Sequence, residues 1–467
     1  MNLYQKIFFV IVIQLMFGNT AIAQYQFDSK FGVSGLEDSN FVVPKGLSID
    51  NNGAIYVCDI GAYKFVKFDK NKKFIYKHGD YQGNWFGDVL NFPSGICNDS
   101  LNNLFITDQA NNRIQKYNSS GDYIESYFGI GPDSFLTPND MAIGRFGTLF
   151  IADATDSKVK VYNYNCTKHI RNIGVSSNIQ ERLSYPRGIA IGKSGLIYVA
   201  DYTNKIFVFD SLGGFKRWIG SYGDGIGQFS SPTGIAIDSN ENIFVADFGN
   251  SRIQIFDSTG NSLGQIGSVG SSDGQLNSPM YLRIDKNGYV YVTEAGNKRV
   301  SIFKPAPKIN IKHNLTRIAP TTGLYNFTNT VVNKIQTKSY TIENRGFDTL
   351  IVSNIDNASG SVNFGINTSL TNFQIPPFQS TTFEINFSPT STGLIDAIIE
   401  VNSNDKTNLS YKFKVQGTGV KPIISLAFYS TTLNNTTSVD VGNIANGYSI
   451  PNDFKITNIG TDRKSVV

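Results

Sequence analysis

Three features of this 467-residue chain predict an all-β fold, a six-bladed β-propeller followed by β-sandwich domains. First, Pro44, Pro93, Pro138, Pro186, Pro232 and Pro279 are each followed fifteen residues later by an acid: Asp59, Asp108, Asp153, Asp201, Asp247 and Glu294. Second, each unit carries an apolar residue three before its proline (Phe41, Leu90, Phe135, Leu183, Phe229, Leu276) and an aromatic twelve after it (Tyr56, Phe105, Phe150, Tyr198, Phe244, Tyr291). Third, beyond residue 308 this period ends, and apolar and polar residues alternate in the pattern of half-buried strands.

The unit recurs every 45 to 49 residues, a length that four short antiparallel strands and their turns fill, which is one propeller blade. In the fifth copy the strands are expected at 234–238, 242–246, 252–257 and 262–267. The turns between them, Asp238-Ser-Asn-Glu, Asp247-Phe-Gly-Asn and Asp257-Ser-Thr-Gly, are rich in residues that bond their own backbone or accept φ > 0. Pro232-x-Gly-Ile-Ala-Ile-Asp, followed by Ile243-Phe-Val-Ala-Asp-x-Gly-Asn-x-Arg-Ile-Gln-x-Phe-Asp, resembles the NHL repeat, and the resemblance spans residues 24–304. Copies two and five match best. Copies one, three and six depart from it; Asp140 and Tyr281 replace the glycine found at Gly46, Gly95, Gly188 and Gly234. Copy four is one residue short in its second turn.

Ahead of the repeats, residues 1–23 hold Lys6, an apolar run from Ile7 to Phe17 and Ala21-Ile-Ala23, the layout of a secretory signal peptide cleaved after Ala23. The run is shorter than the ~20 residues a spanning helix needs, and no later stretch reads as a transmembrane helix. No cysteine follows the cleavage point to carry a lipid. The expected location is therefore secreted, extracellular or at the cell surface.

Composition agrees, with 13% aromatic residues, 44 glycines and 17% charged residues. A formal charge of +4 spread thinly predicts no nucleic-acid partner. Of the three cysteines, Cys58 and Cys97 stand where other copies place Ala, Ser or Thr and read as small core residues. A Cys58–Cys97 disulfide stays open. Cys166 falls in a turn and is expected as an exposed thiol.

The N-terminal segment Tyr25-Gln-Phe-Asp-Ser-Lys-Phe-Gly32 resembles the fourth strands that end at Gly79, Gly129, Gly174, Gly220 and Gly267, whereas the sixth copy runs from Phe303 into Lys304-Pro-Ala-Pro307. The N-terminal strand is thus expected to complete the last blade and close the ring. After the proline-rich link, residues 305–420 read as a β-sandwich. Asn344-Arg-Gly346, Phe387-Ser-Pro389 with Gly393, Asn402-Ser-Asn-Asp405 and Gly417-Thr-Gly419 resemble the immunoglobulin-like domains of the ASPM–SPD-2–Hydin type, called choice-of-anchor D in bacterial surface proteins. That resemblance implies a bacterial, surface-associated protein. Residues 421–467 begin a second copy, since Phe454-Lys-Ile-Thr-Asn-Ile-Gly460 mirrors Tyr340-Thr-Ile-Glu-Asn-Arg-Gly346. The expectation is a truncated domain whose missing C-terminus completes it and carries a cell-surface attachment.

Candidate binding residues gather where the turns between second and third strands meet the links between blades: Tyr63, Asn111, Arg113, Tyr202, Asn204, Asn250, Arg252, Asn297 and Arg299. The longest link adds Tyr81, Trp85 and Phe86, and Arg283 replaces a small residue on an innermost strand. Aromatic rings beside Asn and Arg suit recognition of a protein or glycan. The bland alternative makes the repeated acid and its Asn-x-Arg parts of the blade, Trp85 and Phe86 a loop folded over the rim, and Arg283 a local salt bridge. Three functions follow: an exported binding protein, a structural spacer in a surface assembly, or an enzyme similar to propeller lyases and lactonases that gather metal ligands in the channel. His78, His169 and His313 show no zinc-motif spacing; no cofactor is predicted, and calcium held by carboxylates from separate blades stays open.

Overall fold

The computed structural model describes residues 25–79 and 88–421, together with the strands Ile424–Phe428, Thr431–Leu433 and Phe454–Asn458. Residues 1–23 and the candidates Tyr81, Trp85 and Phe86 lie outside the described residues, as does most of 421–467. The chain divides into two compact units at Pro305/Ala306.

The first unit contains six four-stranded antiparallel sheets. In blade 5 the strands are Pro232–Ile237, Ile243–Asp247, Arg252–Phe256 and Ser262–Ile266, in that order from the inside outwards. The innermost strand starts at the proline, two residues ahead of the sequence expectation. Proline fits there because Pro232 faces Asp247 at the very end of the ladder, before a bulge, where no strand partner needs its missing N–H. The other blades repeat this frame, and blade 6 takes its outermost strand from the N-terminus: Tyr25–Phe31 pairs antiparallel with Arg299–Pro305, from Tyr25↔Pro305 to Phe31↔Val300. Six proline-led starts with five fourth strands of their own leave one place empty, and this strand fills it.

The repeated apolar positions are the core between blades. The residues three before each proline are 0–2% exposed, and Tyr56, Phe105, Tyr198 and Phe244 are wholly buried. At about 1.5–3 kcal/mol for each large apolar side chain removed from water, this set is the main cohesion of the ring. Of the glycines that close the fourth strands, Gly32, Gly174, Gly220 and Gly267 serve the same contact. Gly220 has φ +89°, and a Cβ on it would lie 2.3 Å from the Phe229 ring; Gly32 has φ +83° and would strike Phe41 at the same distance. Only glycine takes that backbone and leaves room for the ring.

All three cysteines are free and buried, and no disulfide joins Cys58 to Cys97. Cys166, expected exposed, is 5% exposed: its turn, with φ +49°, folds inward and packs the sulfur beside Tyr127, Tyr162 and Phe135.

The second unit carries a sandwich. One sheet includes Ile309–His313, Gln336–Asn344, Ser380–Phe387 and Phe364–Asn367, the other Leu350–Gly360, Gly393–Ser403 and Ser410–Val420. Alternate residues of both, among them Ile311, Tyr340, Phe383, Phe387, Ile399, Tyr411 and Phe413, form one core. Asn344 holds the turn after its strand: its amide donates to Asp348 O and Ile375 O at 2.7 and 2.9 Å and accepts from Gly346 N at 2.9 Å.

Candidate functional site

The register of each blade puts the link from the preceding blade and the turn between second and third strands on one face. On that face the repeated acid is fully buried in all six blades. Its oxygens accept the backbone N–H groups leading into the proline: Val42 and Val43 on Asp59 at 2.7 and 2.8 Å, Leu136 and Thr137 on Asp153 at 2.9 Å, Ser184 and Tyr185 on Asp201 at 3.0 Å. Arg113, Arg252 and Arg299 donate Nε to Asp108, Asp247 and Glu294 at 2.7, 2.9 and 2.7 Å. Their outer nitrogens donate to link carbonyls, Gly225 and Gln228 from Arg252, Ser271 and Gln275 from Arg299. Asn111, Asn250 and Asn297 bridge the same acids to the carbonyls of Val89, Gly223 and Gly270. In blade 3 the arginine's position holds Lys158, and the buried Lys160, at the place of Gln115 and Gln254, meets the acid instead, its Nζ lying 2.9 Å from Asp153 and 2.6 Å from Asp156.

These asparagines and arginines are therefore a staple that ties each link to its blade, and not groups presented to a partner. Links carry many main-chain groups, and burying them requires donors and acceptors supplied from the side; the acid and the guanidinium supply both. Asn204, with φ +61°, serves similarly by accepting Ser231 N at 2.8 Å. Tyr63, with φ +54°, lies edge-on to Phe92 with centroids 5.2 Å apart. Tyr202 does stand in solvent, 57% exposed, with the Arg187 guanidinium 5.1 Å from its ring centre. Arg283 belongs to the channel and to the opposite face.

What the sequence reading passed over is the outer surface of the links. Val33, Ile130, Val175, Tyr222 and Val269 are exposed, Tyr222 by 74% and Val269 by 71%, each one or two residues past the glycine closing a fourth strand. That offset was visible in the sequence, and Tyr81 occupies it after Gly79. Between blades 3 and 4 the same face opens into a cleft of about 700 Å³, lined by Asp156, Lys158, Val175, Ser176, Ile179 and Arg182 among others.

Below this face the channel is closed by side chains. Lys45 Nζ donates to Asn139 Oδ1 at 2.6 Å, from blade 1 to blade 3, and lies 5.9 Å from the centre of the Tyr281 ring. Tyr281 Oη donates to Arg187 O at 2.8 Å, from blade 6 to blade 4. The two departures from the repeat explain how this plug forms. At Gly46, Gly95, Gly188 and Gly234 a Cβ would come within 2.1–2.7 Å of the next blade. Asp140 and Tyr281, three blades apart, carry side chains there. Asp140 Oδ2 accepts Ile189 N at 2.9 Å, whereas its Oδ1 has no hydrogen-bond partner.

Burial dominates the electrostatics of the plug. It lifts the Asp140 carboxyl to about 6, with Arg283, the Ile189 and Met141 N–H groups and Lys45 pulling the other way, and it lowers the Lys45 ammonium to about 8. Between about pH 4 and 6 the folded chain holds a proton on Asp140 that the unfolded chain releases, so stability falls as pH rises through this window. Asp140→Asn, which keeps an acceptor for Ile189 N, removes that cost. The unfolding midpoint is expected to rise by about 5 °C at pH 7.5 and to lose its decline between pH 4 and 6; thermal melts of both proteins across that range check it.

A calcium ion in this channel does not fit the residues present. Calcium needs six to eight oxygen ligands, carboxylates foremost. Among the described residues the channel offers one carboxylate, Asp140, against the cations Lys45, Arg187 and Arg283. Among the described residues no group of three or more His, Cys, Asp or Glu is placed to hold a metal.

Comparison with known proteins gives three family matches: residues 180–303 to the family described as 6-bladed beta-propeller, 90–117 to the NHL repeat, and 315–411 to the ASPM-SPD-2-Hydin domain. The chain is 26% identical over 275 residues to Protein SUPPRESSOR OF QUENCHING 1, chloroplastic, of Arabidopsis thaliana, covering 48% of this chain and 26% of that protein. It is 25% identical over 162 residues to a probable peptidyl-alpha-hydroxyglycine alpha-amidating lyase, pgal-1, of Caenorhabditis elegans, covering 32% of this chain and 45% of that protein. The chain thus spans under half the length of either relative. Among solved structures, a streptogramin B lyase aligns over 61% of this chain and 100% of its own with a TM-score of 0.46 and 14% identity. A gluconolactonase from Xanthomonas campestris aligns over 61% and 91% with a TM-score of 0.47 and 13% identity. Among the described residues no helix is long and apolar enough to cross a membrane. The chain carries an NHL repeat, a six-bladed β-propeller and an immunoglobulin-like ASPM-SPD-2-Hydin domain.

Proposed function

We propose that this is an exported binding protein, secreted or held at a bacterial cell surface, whose link face recognises a protein or glycan. The observation that carries this reading is the pairing of a rigid, stapled set of links with exposed apolar side chains on their outer surface and a polar-rimmed cleft between blades 3 and 4. Side chains fixed on short, tied loops lose little freedom on binding. Exposed apolar groups recurring on one face mark interaction surfaces, and the cleft's mixture of Val175 and Ile179 with Asp156, Lys158 and Arg182 suits a ligand that is part apolar and part hydrogen-bonding.

A second reading, an enzyme acting in the channel, draws on the likeness to the amidating lyase. The plug of Lys45, Asn139 and Tyr281 stands across its route. The full chain should be applied to immobilised glycans and to surface extracts of the producing cell, with Ile179→Asp, Tyr222→Asp and, on the opposite face, Phe146→Asp. Loss of binding of about tenfold or more in the first two and none in the third is the expected result. Equal binding by all three variants would sink the proposal.

A further inference from the structure

The geometry points to a second, small-molecule site on the face away from the links: a pocket at the channel mouth that takes a small organic anion, a carboxylate on a short aliphatic chain. It lies below the plug, has a volume of about 290 Å³, and is built from the ends of the six innermost strands. That volume is at the small end of ligand pockets.

Its chemistry is divided by sector. Blades 3, 4 and 5 supply an aliphatic wall in which Ile143, Ile191 and Ile237 hold equivalent places five residues past the proline. Blades 6, 1 and 2, which are consecutive around the ring, supply the polar groups Arg283, Ser48 and Asn98 beside Ile284 and Ile49. Arg283 and Asn98 are the exceptions in their rows, because other copies have a small residue at the first position and isoleucine at the second.

Both exceptions are donors with capacity left over. Arg283 gives one nitrogen to Leu282 O at 2.9 Å and reaches Ile96 O at 3.4 Å, and among the described residues no carboxylate lies within ion-pair distance of it. Asp140, the carboxylate whose field reaches it, is bonded to Ile189 N. Asn98 accepts the Ser48 hydroxyl on its oxygen, while its buried Nδ2 has no partner. A buried amide N–H without an acceptor is rare in a folded protein. A carboxylate seated on the guanidinium satisfies both through charge-assisted bonds once the Asn98 amide, closed to solvent as it stands, turns to meet it, and its chain then lies against the isoleucines, where each buried methylene adds to binding. A wholly polar anion such as phosphate would waste the aliphatic wall, and a neutral alkyl ligand would leave both donors unmet.

The test is calorimetric titration of the full chain with sodium hexanoate, next to acetate, 1-hexanol and inorganic phosphate. Saturable binding of hexanoate is expected, about tenfold or more weaker for acetate and for 1-hexanol, and about tenfold or more weaker in Arg283→Met. Asn98→Ala, a second variant that leaves the arginine in place, should weaken binding several-fold; melts of both variants verify the fold. No saturable binding of hexanoate, or unchanged affinity in both variants, overturns the site. Phosphate binding as tightly as hexanoate overturns the class of ligand. The site is independent of the link face: Ile179→Asp and Tyr222→Asp should leave hexanoate binding unchanged, so failure of either proposal is read separately.

Discussion

Arg252→Met is expected to lower the unfolding midpoint of the propeller by about 10 °C. The side chain is 8% exposed and closes four bonds at once: to Asp247 Oδ2 at 2.9 Å, to Gln265, and to the carbonyls of Gly225 and Gln228 at 2.7 and 3.0 Å. Methionine keeps the length and the apolar stem but takes away one of the two donors on each link carbonyl, leaving Gln228 N on Gly225 O and Gln254 Nε2 on Gln228 O, and it leaves Asp247 a buried charge without its cation. Breaking one member of a buried pair costs roughly 3–5 kcal/mol, and in a domain of this size each kcal/mol shifts the midpoint by a few degrees. Lys216→Met is the control. Its ion pair with Asp210 at 2.9 Å is half exposed, and solvent screens such surface pairs until they contribute little. Calorimetry of the two variants separates the cases; a shift below about 2 °C for Arg252→Met would show that the links hold without the staple.

Deleting Tyr25–Phe31 has the larger expected effect, loss of cooperative unfolding together with aggregation. The strand contributes an entire edge of blade 6. Its Phe27 packs edge-on to Phe303 at 6.1 Å and its Phe31 to Phe68 at 4.8 Å, the second contact joining blade 6 to blade 1. Without it Arg299–Pro305 becomes an open edge, the template for pairing with another chain, and blades 6 and 1 keep only their inner contacts, such as the Thr293 hydroxyl on Lys45 O at 2.6 Å. Size-exclusion chromatography and a thermal melt measure both consequences; a monomeric variant melting like the full chain would show that the ring does not depend on this strand.

The fold was legible because it is periodic. A position such as the apolar residue three before the proline recurs six times, so burial between blades leaves a visible mark in the sequence. The acid was legible as a turn residue, yet its full role was not. Two different readings of Asn-x-Arg, an exposed recognition pair and an internal staple, predict the same letters, and they differ only in where the link carbonyls lie. Features made once rather than six times were the least legible. Asp140 and Tyr281 were visible as departures from glycine, but that they reach Ile189 and Arg187 in neighbouring blades follows from three-dimensional closure. Arg283 stands out in the sequence by replacing a small residue, whereas Asn98, its companion across the mouth, does not, because asparagine is common in this chain. Cys166 was misplaced because a turn was equated with exposure; here the turn curls a sulfur beneath aromatic rings.

The pairing of Phe31 with Val300 also orders events in time. A chain made from its N-terminus presents Tyr25–Phe31 first, when nothing it will pair with exists, and the partner strand emerges only after five complete blades. Early blades can collapse on their neighbours through local contacts, but the circle stays open until synthesis has passed residue 305, with one strand waiting unpaired throughout. Once shut, the same arrangement acts as a latch: a blade cannot peel away from either terminus without first drawing apart two ends held by each other, so slow opening, rather than equilibrium stability alone, is what the closure confers.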